Sequence, residues 1–252
     1  MNYIIATYSG AIKYRDSDER AEQALAYNLS CLSSILHSKK ENNIPNLVKQ
    51  VTIVCPKPRS APYPLYYNKA YWMSYFSEHH PEIKLVYLDY VGENNHASYD
   101  QYIQAYLAYP NFDYYVVIED DYCINTKCID FDTRLVENYC RKFPDDIGYL
   151  CSFAYNLGNL PYHAAISNGI ISKKTFEQIG DDILEQFYRM PSTYAQVQFS
   201  QLFTLNDLPL KDLQDEFCAP FYQSSDNQIV NYKMEDSNDT LFVPVQLLYY
   251  DV

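Results

Sequence analysis

Four short apolar runs alternate with helix-forming segments in the first half of the chain, and this alternation constrains the fold more than any other feature. The runs cover residues 3–7, 51–55, 85–89 and 114–118, and the segments between them favour helices at 16–36, 66–78 and 98–109. Alternating strands and helices form parallel βαβ units, whose ligands bind at the carboxyl ends of the strands. The sequence therefore predicts an α/β fold with a mostly parallel N-terminal half flanked by helices.

The remaining sequence has a less regular pattern. It predicts strands at 147–153 and 241–249, a helix at 173–179 that ends at Gly180, and a helix at 194–205. Asp16 and Glu19 form a capping box for the first helix. Since no long linker or internal repeat divides the chain, we expect one domain over residues 1–252, with halves at 1–122 and 123–252.

The charge of the chain narrows its possible partners. A net charge of −13, with only 19 Lys and Arg and no basic block, argues against nucleic acid, because phosphate backbones bind clustered cations. An acidic protein can still bind a diphosphate if a divalent cation lies between them. The 28 tyrosines fit carbohydrate recognition, but they fit use as ordinary core residues equally well.

Cysteine content and hydropathy indicate the cellular compartment of the protein. The seven cysteines are scattered and lie mostly in apolar runs, which is typical of reduced, buried thiols. The N-terminal segment reads as a strand and not as a signal peptide, and no run of about 18 apolar residues is present. These features predict a cytoplasmic protein without a transmembrane segment.

Three consecutive acids, Glu119, Asp120 and Asp121, follow the apolar run at 114–118 directly. If strand geometry persists, Glu119 and Asp121 point to one side and Asp120 to the other. Adjacent carboxylates repel one another, so this position favours a compensating cation. Mg²⁺ or Mn²⁺ held by one or two carboxylates would neutralise a departing diphosphate. The alternative is a solvated acidic turn or a helix N-cap.

With its acidic triplet after an apolar strand about a hundred residues into a βα half, the chain resembles the GT-A glycosyltransferases and their DXD motif. Glu119 stands where that motif usually begins with Asp. The resemblance implies a GT-A-like, Rossmann-related mixed sheet and a UDP- or GDP-sugar donor. It also implies a glycan or other hydroxyl acceptor and a Mn²⁺ or Mg²⁺ cofactor.

The resemblance also implies roles for individual residues. Metal binding falls to Glu119 and Asp121, donor binding to Thr7, Tyr8, Ser9, Arg15, Asn95, Asp100 and Asp120, and sugar or acceptor contacts to His163, Asn168 and Gly169. Several of these have plainer alternatives. Arg15 could pair with neighbouring acids, His163 could be structural, and Asn168 with Gly169 could form an ordinary turn.

The catalytic base is unassigned, because the chain has Gln196 and Gln198 where inverting members of the family usually carry an acid. The acids available nearby are Asp181, Asp182, Glu185 and Asp207, and the sequence prefers none of them. A non-catalytic carbohydrate-binding module is therefore an alternative function. Nucleotidyl transfer ranks lower, because the loop after the first strand has a single Gly and no basic phosphate-binding pattern.

Overall fold

A computed structural model describes residues 1–7, 18–55, 68–90, 99–120, 122–155, 161–192, 194–213, 221–223, 229–232 and 241–245. Its helices in chain order are α1 (Asp18–Glu41), α2 (Lys69–His79), α3 (Tyr99–Ala108), α4 (Phe131–Lys142), α5 (Lys173–Ile179), α6 (Ile183–Tyr188) and α7 (Ala195–Thr204). Its strands are β1 (Asn2–Ala6), β2 (Gln50–Cys55), β3 (Lys84–Asp89), β4 (Tyr114–Glu119), β5 (Tyr122–Ile124), β6 (Tyr149–Tyr155), β7 (His163–Ser172), β8 (Leu210–Asp212), β9 (Phe221–Gln223), β10 (Ile229–Tyr232) and β11 (Phe242–Pro244).

Seven strands form the central sheet in the order β3-β2-β1-β4-β7-β6-β8. The pairs β1–β2, β2–β3, β1–β4 and β6–β8 are parallel, and only β7 runs against its neighbours β4 and β6. The predicted α/β fold with a mostly parallel sheet is therefore confirmed. The antiparallel pairs β9–β10 and β5–β11 are separate from this sheet.

Helices cover both faces of the central sheet. One apolar core contains side chains of α1, α2 and α4, and the other contains side chains of α3, α5, α6 and α7. Strand β4 serves both, since Val116 and Ile118 enter the first core while Tyr115 and Val117 enter the second. This alternation is the period-two pattern of a fully buried strand.

Tyrosine is used as a core residue in the described part of the chain. Five tyrosines are among the largest fully buried side chains: Tyr3, Tyr102, Tyr115, Tyr139 and Tyr149. Burial raises the pKa of Tyr139, whose hydroxyl donates to the Gly148 carbonyl at 2.7 Å. The packing interpretation of the tyrosine content thus holds for these residues.

The N-terminal elements lie where the apolar runs predicted them, and the helix at 173–179 ends at Gly180 as expected. The turn alternative for Asn168 and Gly169 is wrong, because both residues lie within β7. The sequence pattern did not predict α4, α6, β5, β7, β8, β9 or β10. Of the predicted strand at 241–249, residues 242–244 form β11, and residues 246–252 lie outside the described part.

None of the helices in the described ranges has the length and apolar character needed to cross a membrane.

Candidate functional site

The ends of β1 and β4 lie side by side at one edge of the sheet. Ala6 pairs with Glu119 in register, and the Asp120 amide donates to the Ala6 carbonyl at 3.0 Å. From β1 the chain runs to β2 and β3 on one side and then crosses over to β4 on the other. Such a reversal of strand order is where open α/β sheets bind ligands, outside the carboxyl ends of the strands.

Strands β4 and β7 separate at the same edge. Their ladder runs from the pair Tyr114–Ser172 to the pair Val117–Gly169 and stops two residues before Glu119. Beyond it, the Asn168 side chain replaces the ladder, with its Oδ1 accepting from the Glu119 amide at 2.8 Å. The sheet therefore opens between β4 and β7 beside the acidic residues.

Side chains of β6 hold the separated part of β7 in place. The Ser152 hydroxyl donates to the Asn168 carbonyl at 2.8 Å, and the Tyr149 hydroxyl donates to the Ser167 carbonyl. These bonds satisfy backbone groups that a continuous ladder with β4 would otherwise pair. The separation of β7 from β4 is therefore stabilised by hydrogen bonds from β6.

Helices α3 and α6 complete the polar surroundings. The Gln101 side chain donates to the Thr7 carbonyl at 3.1 Å, and the Thr7 hydroxyl donates to the Val54 carbonyl at 2.6 Å. The Asp100 carboxylate accepts from the hydroxyls of Tyr90 and Tyr188, the latter at 3.2 Å. Burial, and after it the Asp100 charge, raises the pKa of Tyr188 to about 12, so this phenol stays a hydrogen-bond donor.

We call this group of residues the carboxyl-edge cluster: Thr7, Asp100, Gln101, Glu119, Asp120, Ser152, Ser167 and Asn168. All except Glu119 are buried, and Glu119 is half-buried. Among the described residues, the Asn168 Nδ2 and the Ser167 Oγ have no hydrogen-bond partner. An unsatisfied buried polar atom costs about 1–3 kcal/mol, so this pair is well suited to receive polar atoms of a ligand.

The acidic residues keep the alternation of the strand they follow. Glu119 continues the series of Tyr115 and Val117, and its charge contributes to raising the pKa of Tyr149, after burial and nearer groups. Asp120 is fully buried beside the end of β1. Asp121 lies outside the described residues, so the prediction that it shares a side with Glu119 stays a prediction.

The donor chemistry of this edge suits a hard divalent cation. Carboxylate oxygens are the ligands that Mg²⁺ and Mn²⁺ prefer, and Mg²⁺ commonly takes only one or two of them together with substrate phosphates. The described residues contain no group of three or more His, Cys, Asp or Glu placed to hold a metal.

The remaining predicted sugar contacts lie along β7. His163 is its first residue, buried, with Nδ1 2.7 Å from the Pro161 carbonyl oxygen. Five strand positions separate it from Asn168, a span of up to about 17 Å. Gly169 has a structural reason to be glycine, since a Cβ there would lie 2.0 Å from the Leu150 carbonyl oxygen of β6. The backbone that approaches Gly169 most closely is therefore that of the neighbouring strand β6.

The four candidate bases lie at exposed positions: they are Asp181, Asp182, Glu185 and Asp207. Glu185 pairs with Arg189 at 3.0 Å, and Asp182 accepts from Gln186 at 2.8 Å. Asp207 lies in the turn before β8, which begins beside the first residue of β6 and hence at the opposite edge.

Several predicted donor contacts lie outside the described residues, namely Tyr8, Ser9, Arg15 and Asn95. Conversely, the structure adds Gln101, Ser152, Ser167 and Tyr188, which the sequence pattern did not indicate. Gln101 adjoins Asp100 at the start of a predicted helix, and this adjacency was the one available signal. Tyr188 is 88 positions from Asp100, and no local pattern reports such a contact.

No protein-family model and no curated protein sequence matches this chain. Among solved structures, it is similar to a glycosyltransferase involved in glycosylation of the major capsid of PBCV-1, with 15% identity, a TM-score of 0.46 and coverage of 77% of this chain and 92% of that one. It is also similar to a protein described as a nucleotide-diphospho-sugar transferase from Desulfovibrio desulfuricans G20, with 12% identity, a TM-score of 0.41 and coverage of 84% and 78%.

A third similar structure is described as a glucose-1-phosphate thymidylyltransferase from Bacillus anthracis in complex with sucrose, with 12% identity, a TM-score of 0.43 and coverage of 84% and 85%.

Proposed function

We propose that this protein is a glycosyltransferase that moves a sugar from a nucleoside-diphosphate-sugar to a hydroxyl acceptor with the help of a divalent cation. The observation that carries the proposal is the position of Glu119 and Asp120. Glu119 ends β4 and Asp120 follows it, beside the end of β1, at the reversal of strand order, where the sheet also opens toward β7. A diphosphate bound there would meet carboxylates and buried, unsatisfied polar groups on neighbouring strands.

In this proposal the donor lies along the carboxyl-edge cluster. Glu119 and Asp121 would hold Mn²⁺ or Mg²⁺, which when bound neutralises charge on the departing diphosphate. Asp120, buried beside Thr7, would accept hydrogen bonds from donor hydroxyls. The Asn168 Nδ2 and Ser167 Oγ, which have no partner among the described residues, would donate to donor or acceptor oxygens. Fixed donors of this kind stabilise developing negative charge without reorganising.

Because no catalytic base is assigned, a second function is considered. Since the four acids considered as bases are exposed and Asp207 lies at the opposite edge, a non-catalytic carbohydrate-binding protein with the same cluster is the second candidate. The two functions differ in one measurable respect. The enzyme must bind a nucleotide-sugar and cleave its glycosidic phosphate bond, whereas the binding protein needs neither.

The decisive experiment is isothermal titration of UDP-glucose, UDP-N-acetylglucosamine and GDP-mannose, each with Mn²⁺ and with a chelator. We expect one donor to bind at least tenfold more tightly with Mn²⁺ and to be hydrolysed slowly without an acceptor. The Asp121→Ala variant should lose the Mn²⁺-dependent part of binding and remain folded. Asp113→Ala, which removes an exposed acid before the other end of β4, serves as the matched control.

Two results would overturn the proposal. Equal donor affinity with and without Mn²⁺ would contradict the proposed role of the acidic residues in binding the metal. Glycan binding with no affinity for any of the three nucleotide-sugars would favour the binding protein.

A further inference from the structure

A pocket lies between helices α1 and α2, apart from the residues of the carboxyl-edge cluster. Its volume is about 440 Å³, within the range of roughly 300–1,000 Å³ that small-molecule sites occupy. It is lined by Ser30, Ser33, Ser34 and His37 of α1, by Tyr71, Trp72, Tyr75 and His79 of α2, and by His80. The pocket is separate from the carboxyl-edge cluster, since the two share no residue.

The two walls of the pocket differ in chemistry. The α1 wall presents three serines and a histidine at positions i, i+3, i+4 and i+7, which is one face of a helix. The α2 wall is aromatic: the Tyr71 and Tyr75 rings stack with centroids 6.0 Å apart at 28°, and Tyr71 is 59% exposed. A ligand in this pocket therefore meets an apolar aromatic wall on one side and hydroxyl and imidazole groups on the other.

A hydrogen-bond network fixes the base of the pocket. The Ser33 hydroxyl lies 2.8 Å from the His80 Nε2 and 3.1 Å from the Tyr75 hydroxyl. The His79 ring packs on Tyr75 with centroids 4.4 Å apart. These contacts hold the walls in place, so a ligand would meet a largely preformed site.

The lining lacks carboxylate, ammonium and guanidinium groups. None of its nine residues is Asp, Glu, Lys or Arg, although the chain as a whole carries a charge of −13. Burial is the main cause that lowers the pKa of His80, which keeps this ring neutral near pH 7. His37 is exposed and lies 3.2 Å from Glu41, a residue outside the lining. A charged ligand would meet no carboxylate, ammonium or guanidinium group among the lining residues.

We propose that the α1–α2 pocket is a binding site for a neutral saccharide. A sugar ring has an apolar C–H face that fits against tyrosine and tryptophan rings, and hydroxyls that exchange hydrogen bonds with serine, imidazole and phenol groups. The volume, the neutral lining and the division into aromatic and hydroxyl walls all match this ligand class. The site does not depend on the proposed transferase activity, because it shares no residue with the carboxyl-edge cluster.

The chain contains its own reporter for this site. Trp72 is the single tryptophan and lines the pocket, so selectively excited tryptophan fluorescence reports on this site. The probes are glucose, galactose, mannose, N-acetylglucosamine and maltose, each titrated into the full chain. We expect a saturable change in fluorescence with at least one of them, and no competition by UDP. No saturable change with any of the five would overturn the proposal.

Two variants test whether the signal comes from this pocket. Tyr71→Ala removes the exposed aromatic wall and should weaken binding at least tenfold. Ser34→Phe fills the pocket from an exposed position on α1 and should abolish binding. Tyr194→Ala is the matched control, because Tyr194 is 60% exposed and lies at the start of α7, away from the pocket. Unchanged affinity in both pocket variants, with circular dichroism like that of the parent, would contradict the assignment.

Two further outcomes separate this proposal from its competitors. If UDP displaces the saccharide, the signal belongs to the donor site and a separate pocket is excluded. If Tyr71→Ala changes the oligomeric state while no saccharide binds, the aromatic face is a contact between copies of the chain. Asp121→Ala should leave the Trp72 titration unchanged, so failure of the transferase proposal is distinguishable from failure of this one.

Discussion

Gly169 of β7 pairs with Val117 of β4 and with Cys151 of β6, at the point where the sheet opens. A Cβ there would lie 2.0 Å from the Leu150 carbonyl oxygen and 2.9 Å from the Cys151 Cα, and both contacts are with backbone. Flexible side chains can move aside, but a strand held in the ladder cannot move alone. The small residue is therefore required for the pairing of β6 with β7, which in turn places Asn168 beside Glu119.

Gly169→Ala should lower the free energy of unfolding by more than about 3 kcal/mol, because the added methyl forces two paired strands apart. Gly180→Ala is the matched control. Gly180 has φ of 106° but an open Cβ position, with the nearest atom 3.5 Å away, so this variant should lose only about 1–2 kcal/mol from backbone strain. Urea unfolding followed by circular dichroism measures both values. A smaller loss at Gly169 than at Gly180 would contradict the steric explanation.

The residues of the candidate site differ in how readily the sequence predicts their role. Glu119 and Asp120 could be predicted, because three acids directly after a buried strand form a local pattern. Asn168 was predicted only through the family resemblance, and its contact with Glu119 depends on β7 pairing with β4 only from Gly169 onward. Contacts between distant positions, such as Tyr188 with Asp100, follow from the packing of α6 against α3 and leave no trace in local sequence.

At the scale of elements, a buried ion pair ties α1 to α4. The Lys39 Nζ lies 2.5 Å from the Asp132 Oδ1, and these side chains are 1% and 0% exposed. Lys39 also donates to the Pro45 carbonyl at 2.8 Å, and the Asp132 Oδ2 accepts from the Leu47 amide at 2.7 Å. The pair thus fixes both helices and the connection that leads into β2.

Removing one partner should be costly, because it leaves an uncompensated charge in the interior. We expect Lys39→Met and Asp132→Ala each to lower the free energy of unfolding by about 3–5 kcal/mol. The double variant Lys39→Met/Asp132→Ala should lose clearly less than the sum, and a double-mutant cycle in urea measures this coupling.

The control pair is Lys173 with Glu177, which lies 3.3 Å apart on the surface with exposures of 37% and 53%. Breaking it should cost no more than about 0.5 kcal/mol. Additive losses at Lys39 and Asp132 would show that the two charges do not stabilise one another.

Elements with strong local periodicity could be predicted, and elements defined by tertiary context could not. The strands of the N-terminal half are continuous apolar runs because both faces are covered by helices. Helix α4 is an exception, because Phe131, Leu135 and Tyr139 recur at helical spacing on one face, and this pattern would have predicted it. Strand β7 contains Ser167, Asn168 and Gly169 and so lacks the continuous apolar run of a buried strand.

Over the whole molecule, the two proposed sites differ in electrostatics. The chain carries a net charge of −13, and the carboxyl-edge cluster adds adjacent carboxylates, whereas the α1–α2 pocket has no charged lining. The summed field of an acidic protein raises the local concentration of cations and favours their binding. Salt screens this field, while a neutral saccharide does not respond to it.

Raising potassium chloride from 0.1 to 1 M shortens the Debye length from about 10 Å to about 3 Å. We expect the affinity for Mn²⁺, measured in the presence of the donor, to fall roughly threefold or more over this range. Saccharide affinity, measured through Trp72, should change by less than about twofold, since desolvated contacts between neutral groups are not screened. A parallel loss at both sites would point to a change in the whole fold. A Mn²⁺ affinity that does not depend on salt would show that the charge of the molecule does not assist the carboxyl-edge cluster.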